Sequence, residues 1–408
     1  MSPEPPSVPS ERAGQGRQLA LASLAFTACF YAWSLLGPLG PSLQKHLQIS
    51  DVQLSVLVAV PVLLGALMRV PLGVAADRFG GRRVFAALMA FTVLPLLALA
   101  RWHDSYEAML AFGFLLGFAG ASFAVGVPFV NRWYGAGRQG FALGVYGMGM
   151  GGSVLAALTA PRIAKATSLT VPFLVAAGLM ALMFAVVIAL AKDAPAPERG
   201  ASPAFFSSLR VFRSSPRAWA LTLFYFISFG GFVSMFLYLP KLLVAVHHLS
   251  KTDAASRAAG FALLAVLARP AGGWLSDRVG AERVLKASFA GTLALAAVLS
   301  ATYREMVPLT VTCLSLGVAF GLGTGAVFKL VASWFSGEVG AVTGVVGAAG
   351  GLGGFFPPLV MAVVKQATGS YTLGFVLLAA FAALALAALS VLDRSRTRLV
   401  PAPAPVKA

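Results

Sequence analysis

Charged residues are scarce in this 408-residue chain, and acidic residues are the scarcest. Only 11% of the residues are charged, and Asp and Glu together number 14. Soluble domains carry about 25% charged residues, so water is not the main solvent of this fold. Hydrophobic residues reach 58%, and a mean hydropathy of +0.84 is typical of a chain that folds in a bilayer.

Cysteine is almost missing, and catalytic motifs are missing altogether. Cys29 and Cys313 both lie inside apolar runs, where a buried thiol usually serves as a small hydrophobe. The sequence offers no nucleophile–base set, no metal-ligand cluster and no phosphate-binding loop. We therefore expect no disulfide, no metal site, no cofactor and no enzymatic activity.

Long apolar runs are abundant. Each is long enough to cross about 30 Å of hydrocarbon as a helix. They predict an all-α membrane protein with twelve transmembrane helices, near residues 19–44, 52–76, 84–101, 107–131, 139–161, 170–191, 218–240, 254–276, 284–302, 306–328, 340–364 and 371–392. Residues 1–18 and 393–408 are polar or rich in proline, so we predict two disordered tails and no signal peptide.

The net charge of +17 follows the predicted topology. Lysine and arginine concentrate in the tails, in the stretch 192–217 and in the loops on that same side of the membrane. By the positive-inside rule, both termini are cytoplasmic in a multi-pass protein of the inner membrane. Anionic lipid of the inner leaflet then accounts for the basicity, and we expect no nucleic-acid partner.

The chain repeats itself at an offset of 200 residues. The segment 69–83 (RVPLGVAADRFGGRR) matches 269–283 (RPAGGWLSDRVGAER), and the glycines of 140–151 match those of 340–351. We predict two homologous six-helix halves, 19–191 and 218–392, joined by a cytoplasmic linker at 192–217. A substrate site between such halves, near the bilayer midplane, is a common transporter plan.

The loop after the second predicted helix resembles the signature loop of the major facilitator superfamily. It reads G-x-x-x-D-R-x-G-x-R-R, and much of it recurs in the second half. Glycine lets a neighbouring helix approach closely, and an aspartate can hold a helix end in one conformation. The alternative is an ordinary basic loop. The candidate gating residues are Gly73, Asp77, Arg78, Gly80, Arg83, Gly273, Asp277 and Arg278.

Two arginines fall in the middle of predicted helices. Arg69 and Arg269 each stand eight residues before the aspartate of their signature loop, which is about 12 Å along a helix. A central arginine costs roughly 3 kcal/mol even on insertion-based scales. The fourteen acidic residues lie in tails, loops or helix ends, and the four histidines are not mid-span either. Two unpaired guanidinium groups therefore predict an anion, and their planar forks suit a small oxyanion.

Four segments resemble the nitrate/nitrite porter family of the same superfamily. Predicted helix 5 carries GFALGVYGMGMGGSVLAALTAP and predicted helix 11 carries GAVTGVVGAAGGLGGFFPPLV; YFISFGGFVSMFLYLP and GTGAVFKLVASWF lie on helices 7 and 10. The resemblance implies that Arg69 and Arg269 clamp the anion, that Tyr225 hydrogen-bonds to it, and that Phe229 and Phe123 form its walls. It also implies that glycine-rich faces of helices 5 and 11 slide during transport.

The fifth helix departs from the family pattern. The family usually has asparagine within G-x-G-N-x-G, whereas this chain has Met150 there, which leaves the exact anion open. The resemblance also brings the neighbouring glycines Gly147, Gly347 and Gly351 into the candidate site. For Lys329 on helix 10, a snorkelling lysine near the membrane surface is favoured over a role in attracting anions.

The sequence thus predicts a monomeric secondary transporter of a small oxyanion, nitrate or nitrite, that works by alternating access. A proton symporter needs a mid-membrane group that binds and releases protons, and arginine does not do so. Anion exchange is therefore favoured over proton-coupled nitrate symport. Three alternatives remain open: an antiporter of small organic anions of the carboxylate or cyanate type, a proton-coupled nitrate symporter, and a membrane sensor of an anion.

Overall fold

The computed structural model of the chain describes residues 14–194 and 210–397, and these residues form helices without any strand. The all-α prediction is confirmed. Twelve long helices follow one another: α1 Gln15–Leu47, α2 Asp51–Phe79, α3 Gly81–Arg101, α4 Tyr106–Trp133, α5 Gln139–Ala166, α6 Thr170–Leu190, α7 Pro216–His247, α8 Lys251–Val279, α9 Ala281–Thr302, α10 Met306–Trp334, α11 Val339–Thr368 and α12 Thr372–Thr397.

These helices have the length and composition of membrane spans. Eleven of them are long and apolar enough to cross a bilayer, and the described apolar part of α11 covers Val339–Gly354. We refer to α1–α6 as the N-terminal half and to α7–α12 as the C-terminal half. The fold is therefore an all-α membrane protein with twelve spanning helices in two pseudo-symmetric halves.

The two predicted disordered tails, 1–18 and 393–408, include residues that are helical in the structure. Helix α1 begins at Gln15 and α12 ends at Thr397, because a helix continues past the apolar run that fits the hydrocarbon. The tail residues before 14 and after 397 lie outside the described residues, as do linker residues 195–209. The described part of the linker includes a short helix, Val211–Ser214.

Among the described residues, four of the long helices are interrupted near the middle of their length. Helix α1 is broken between Trp33 and Leu36, α4 is broken at Ala121, α5 passes through a 3₁₀ turn at Met148–Gly151, and α7 passes through a π-helical turn at Phe226–Gly230. Glycine weakens a helix interior, and the interruptions in α5 and α7 fall in or beside glycine-rich sequence. Such irregular turns often mark functional sites, and these two contain the candidate residues Met150 and Phe229.

Helices α2 and α8 are capped in equivalent ways. The side chain of Ser50 accepts a hydrogen bond from the Gln53 amide at 3.2 Å, and Ser250 accepts one from the Asp253 amide at 3.1 Å. Both helices end at a glycine with positive φ, 87° at Gly80 and 94° at Gly280, a conformation that other residues adopt with strain. The residues that cap these two helices are therefore also related by the 200-residue repeat.

The two halves meet most closely through glycines. Gly73 of α2 lies against the carbonyl of Gly340 in α11, and Gly273 of α8 lies against the carbonyl of Gly140 in α5. A Cβ atom at either Gly73 or Gly273 would collide with that backbone. Glycine is required at these crossings because two helix backbones touch there without intervening side chains.

Candidate functional site

Arg69 and Arg269 are buried at the interface between the halves. Arg69 is only 4% exposed and Arg269 only 3% exposed. Each reaches across the interface to a backbone carbonyl: Arg69 Nη1 donates to Gly347, and Arg269 Nη1 donates to Gly147 at 2.9 Å. The crossing is symmetric, since donors and acceptors are both related by the 200-residue offset. Neither arginine forms an ion pair within residues 14–194 and 210–397.

The other partners of the two arginines differ. Arg269 Nε donates to Thr324 Oγ1 at 3.0 Å, and its Nη2 donates to the Tyr225 hydroxyl at 3.2 Å. Arg69 Nε donates to the carbonyl of Gly120 at 3.3 Å. Arg269 is therefore held mainly by side chains, whereas the contacts of Arg69 are to backbone carbonyls.

Aromatic rings form a parallel stack beside both guanidinium groups. The Tyr225 ring lies 5.0 Å from the Phe229 ring and 6.3 Å from the Phe123 ring, at interplanar angles of 3° and 6°. The Phe229 ring centroid lies 6.0 Å from the Arg69 guanidinium carbon and 5.8 Å from that of Arg269. Tyr225 and Phe229, four residues apart in α7, therefore share one face of that helix.

Two residues of α10 join this cluster without having been singled out in the sequence. Phe328 packs edge-on against Phe123 and Tyr225, with both centroid distances at 4.7 Å, and Thr324 accepts from Arg269. Thr324 is a lone polar residue between glycines, which was a readable signal. Nothing in the sequence distinguished Phe328 from the other phenylalanines.

The predicted glycines make room for the arginine side chains. A Cβ atom at Gly147 would lie 3.3 Å from the Arg269 guanidinium carbon, and one at Gly347 would lie 3.2 Å from Arg69 Cδ. At Gly351 it would lie 3.5 Å from Arg69 Nη1. Met150 also lies in this cluster, because its sulfur accepts from Arg269 Nη1. The structure therefore brings all nine candidate binding residues together.

Asp77 and Asp277 lie at one membrane face, which we call the aspartate face, and each accepts hydrogen bonds from a helix N-terminus of the opposite half. Asp277 accepts from the amides of Gly140 and Phe141 at 2.9 and 2.8 Å. Asp77 accepts from the amides of Gly340 and Ala341 at 2.8 and 3.1 Å. A carboxylate at a helix N-terminus is stabilised by the helix dipole.

Lys329 corrects one expectation. It is not a snorkelling lysine, because its side chain is only 13% exposed and its Nζ lies 2.8 Å from Asp277 Oδ1. In the N-terminal half the cation beside Asp77 is Arg132, whose Nη2 lies 3.8 Å from Asp77 Oδ1, although it does not stand 200 residues before Lys329. Both aspartates therefore have a cation and a helix end as partners.

The remaining signature-loop arginines lie elsewhere. Arg78 and Arg278 lie over the rings of Phe79 and Trp274 at 5.3 and 4.1 Å, and Arg83 is exposed. The contacts that hold the halves together at this face are made by the glycines and aspartates of the signature loops and by Lys329, whose Nζ donates to the carbonyl of Ala136 in the other half.

Known proteins resemble this chain in both sequence and fold. A family model described as Major Facilitator Superfamily matches residues 22–302 and 244–407. The chain is 43% identical to the probable nitrate/nitrite transporter NarK2 of Mycobacterium tuberculosis, over 91% of this chain and 95% of that protein. It is 37% identical to the nitrite extrusion protein of Bacillus subtilis, over 88% and 90%. The chain belongs to the nitrate/nitrite porter family of the Major Facilitator Superfamily.

Further comparisons agree with this membership. The probable nitrate/nitrite antiporter NarK1 of Thermus thermophilus is 35% identical to the chain, over 93% of this chain and 92% of that protein. The solved structure of the human organic anion transporter MFSD10 superposes with a TM-score of 0.76 at 17% identity, covering 92% and 99% of the two chains. The resemblance read from helices 5 and 11 is confirmed. The family consists of transporters and not enzymes. The spanning helices of this chain and its bacterial relatives indicate a multi-pass inner-membrane protein.

Proposed function

We propose that this protein is a secondary active transporter of nitrate and nitrite that exchanges the two anions by alternating access. The observation that carries the proposal is the pair of buried guanidinium groups, Arg69 and Arg269, without a carboxylate partner in the described residues. Uncompensated buried charge is costly, and a bound anion relieves that cost. The names of the relatives refer to nitrate or nitrite.

The site suits a small planar oxyanion. Both arginines present planar forks that donate parallel hydrogen bonds. Within the described residues, Arg69 uses its Nε and Nη1 and makes no protein hydrogen bond through Nη2, which leaves that nitrogen for the anion. We assign the clamp to Arg69 and Arg269, a hydrogen bond to Tyr225, and flat walls to Phe229 and Phe123.

The size of the site favours an inorganic anion over an organic one. Gly147 and Gly347 have space for their own hydrogens and little more, because an added Cβ atom would press on the arginines. Met150, Phe229 and Phe328 fill the adjacent space. An antiporter of small carboxylates is the second candidate, and competition with a panel of anions separates the two.

The positions of the contacts between the halves support alternating access. The contacts between the halves described above run from the arginines to the aspartate face. If the termini are cytoplasmic, as the positive-inside rule predicts, this state is closed to the cytoplasm. We infer that transport breaks the contacts of Asp77 and Asp277 and forms new ones at the opposite face. One chain holds both arginines, so a monomer is sufficient.

The same two charges support anion exchange as the mode of transport. Closing an empty site leaves both guanidinium groups unpaired, whereas closing a loaded site does not. The loaded carrier is therefore expected to change state faster than the empty one. No Asp, Glu or His appears among the described partners of the two arginines to bind and release a proton for symport.

The test uses purified protein in proteoliposomes with labelled nitrate outside. The vesicles contain nitrite, nitrate or an impermeant anion, and protein-free vesicles are the control. We expect rapid uptake only into vesicles that contain nitrite or nitrate. Fast uptake into anion-free vesicles that is accelerated by an inward proton gradient would contradict exchange. Binding without uptake in any vesicle would indicate an anion sensor, and preference for a carboxylate would indicate the second candidate.

A further inference from the structure

Three side chains with metal-binding atoms gather at the face opposite the aspartate face. His46 lies at the end of α1, and His103 and Asp104 lie in the turn between α3 and α4. One ligand atom from each lies within 4.8 Å of the others. His46 Nε2 is 2.6 Å from Asp104 Oδ1, and His103 Nε2 is 3.6 Å from the same oxygen. Sequence spacing does not reveal this cluster, because its members come from separate turns of the chain.

A hydrogen bond orients the His103 ring for metal binding. Its Nδ1 lies 3.0 Å from the carbonyl oxygen of Ala100, which can only accept a hydrogen bond. Nδ1 of the neutral ring therefore carries the proton, and Nε2 carries a lone pair. A backbone carbonyl on the other ring nitrogen is a usual partner of a metal-binding histidine.

The contact between His103 and Asp104 joins two hydrogen-bond acceptors. His103 Nε2, with its lone pair, lies opposite the carboxylate of Asp104 at 3.6 Å, and no proton of the neutral ring lies between them. Two acceptors that face each other are stabilised by a cation.

The cluster is open to solvent. The side chains of His46 and Asp104 are 40% and 71% exposed, and that of His103 is 17% exposed. An ion from solution reaches it without any opening of the fold, and water can complete its coordination. Ligands bound to a tetrahedral ion lie about 3.4 Å apart. Side-chain rotations at this exposed turn are sufficient to bring the three ligand atoms to that spacing.

We propose that His46, His103 and Asp104 form a binding site for a Zn²⁺ ion, with water as the fourth ligand. Two imidazoles and one carboxylate are a recognised Zn²⁺ ligand set. The site joins the outer segment of α1, Leu36–Leu47, to the α3–α4 turn. That segment is separated from the rest of α1 by the break after Trp33. Bound Zn²⁺ therefore holds the outer segment of α1 against the turn.

The experiment measures Zn²⁺ binding to the purified full-length chain by isothermal titration calorimetry after chelator treatment. The affinity tag contains no histidine. We expect one Zn²⁺ per chain in the wild-type protein. The variants His46→Gln and His103→Gln are each expected to lower the affinity by more than about tenfold.

The chain offers a matched control. His247 and His248 are its other two histidines and lie at the same face, at the end of α7, where His247 Nε2 is 3.0 Å from the carbonyl of Tyr303. His248 has a φ of 54°, which asparagine tolerates. The double variant His247→Gln/His248→Asn is expected to bind Zn²⁺ as the wild type does.

Two outcomes would overturn the proposal. One is the absence of saturable Zn²⁺ binding to the wild-type protein. The other is binding that survives in both His46→Gln and His103→Gln, because the ion would then bind elsewhere. A thermal-shift measurement supports the titration. Zn²⁺ is expected to raise the melting temperature of the wild type and of the control, since a ligand of the folded state stabilises it, and to leave that of His46→Gln unchanged.

Discussion

The sulfur of Met150 in α5 accepts a hydrogen bond from Nη1 of Arg269 in α8, across the interface between the two halves. A thioether is a weak acceptor and donates nothing. The family usually has an asparagine here, whose amide both accepts and donates. Met150 therefore holds the arginine in place but offers no hydrogen bond to an anion, and this difference can be tested directly.

Replacing Met150 by Asn is expected to raise the affinity for nitrate relative to less polar anions. The amide oxygen keeps the contact with Arg269, and the amide nitrogen gains a donor for the anion, worth about 1 kcal/mol. Competition between nitrate and other anions in the uptake assay measures the ratio. Met150→Leu is the control because it keeps the volume without the polar group. An unchanged ratio in Met150→Asn would show that this position does not contact the substrate.

Replacing Arg69 or Arg269 by Lys is expected to reduce uptake by more than about tenfold, since lysine keeps the charge but loses the planar fork. Immunoblots of the membrane fraction check that the protein is inserted. Arg257→Lys is the matched control on α8: this exposed arginine pairs with Asp253 at 3.4 Å, and lysine can replace it. Near-normal uptake in both site variants would exclude a bidentate clamp.

Replacing Tyr225 by Phe is expected to weaken anion binding by about 1 kcal/mol, the net value of one hydrogen bond. The ring stack with Phe229 stays, so only the hydroxyl is removed. The half-saturating nitrate concentration for exchange measures the change. Tyr31→Phe is the control, because the Tyr31 hydroxyl pairs with Thr159 at 3.1 Å, away from the arginines. Equal effects of both variants would mean that the Tyr225 hydroxyl does not contact the anion.

Replacing Asp277 by Asn is expected to shift the protein away from the state closed at the aspartate face. The variant leaves Lys329 without its counter-ion and weakens the hydrogen bonds from Gly140 and Phe141. Spin labels at Gly137→Cys and Gly337→Cys report the separation of the halves by double electron–electron resonance. Both positions face open space, and the two native cysteines are buried.

The distance distribution is expected to gain a longer component in Asp277→Asn. The control is Asp253→Asn at the other end of α8, where the aspartate pairs with the exposed Arg257. That substitution is expected to leave the distribution unchanged. If Asp277→Asn also leaves it unchanged, the contacts of Asp277 do not hold this state together.

The internal repeat explains why so much of the site was readable from the sequence. Two residues at equivalent positions of homologous halves are related by a pseudo-two-fold axis and lie at the same depth, so the 200-residue spacing of Arg69 and Arg269, together with their mid-span charges, predicted one shared site. Gly147 and Gly347 match at the same offset, and the family resemblance brought them into the candidate site. Residues that break the symmetry were harder to find. The residue 200 positions before Phe328 is a proline, so the repeat did not single out Phe328, and only packing places it in the aromatic cluster.

Lys329 and the helix breaks show a second limit. Hydropathy gives the depth of a residue in the membrane but not its partner, so the sequence favoured an interfacial lysine where the structure has a contact with Asp277. The π-helical turn at Phe226–Gly230 depends on how α7 packs against its neighbours. Composition predicts a continuous helix there. The division of the chain at residues 192–217 stays a prediction.

Besides the Met150 contact of Arg269, each arginine has one main-chain partner across the interface, the oxygen of Gly347 for Arg69 and that of Gly147 for Arg269. Every amino acid supplies the same oxygen, so this recognition depends on the path of the backbone and not on the identity of a side chain. Each half therefore meets its counterpart through features that any member of the family with the same glycine spacing provides. Hybrid proteins that combine one half of this chain with the other half of a relative would retain these two contacts.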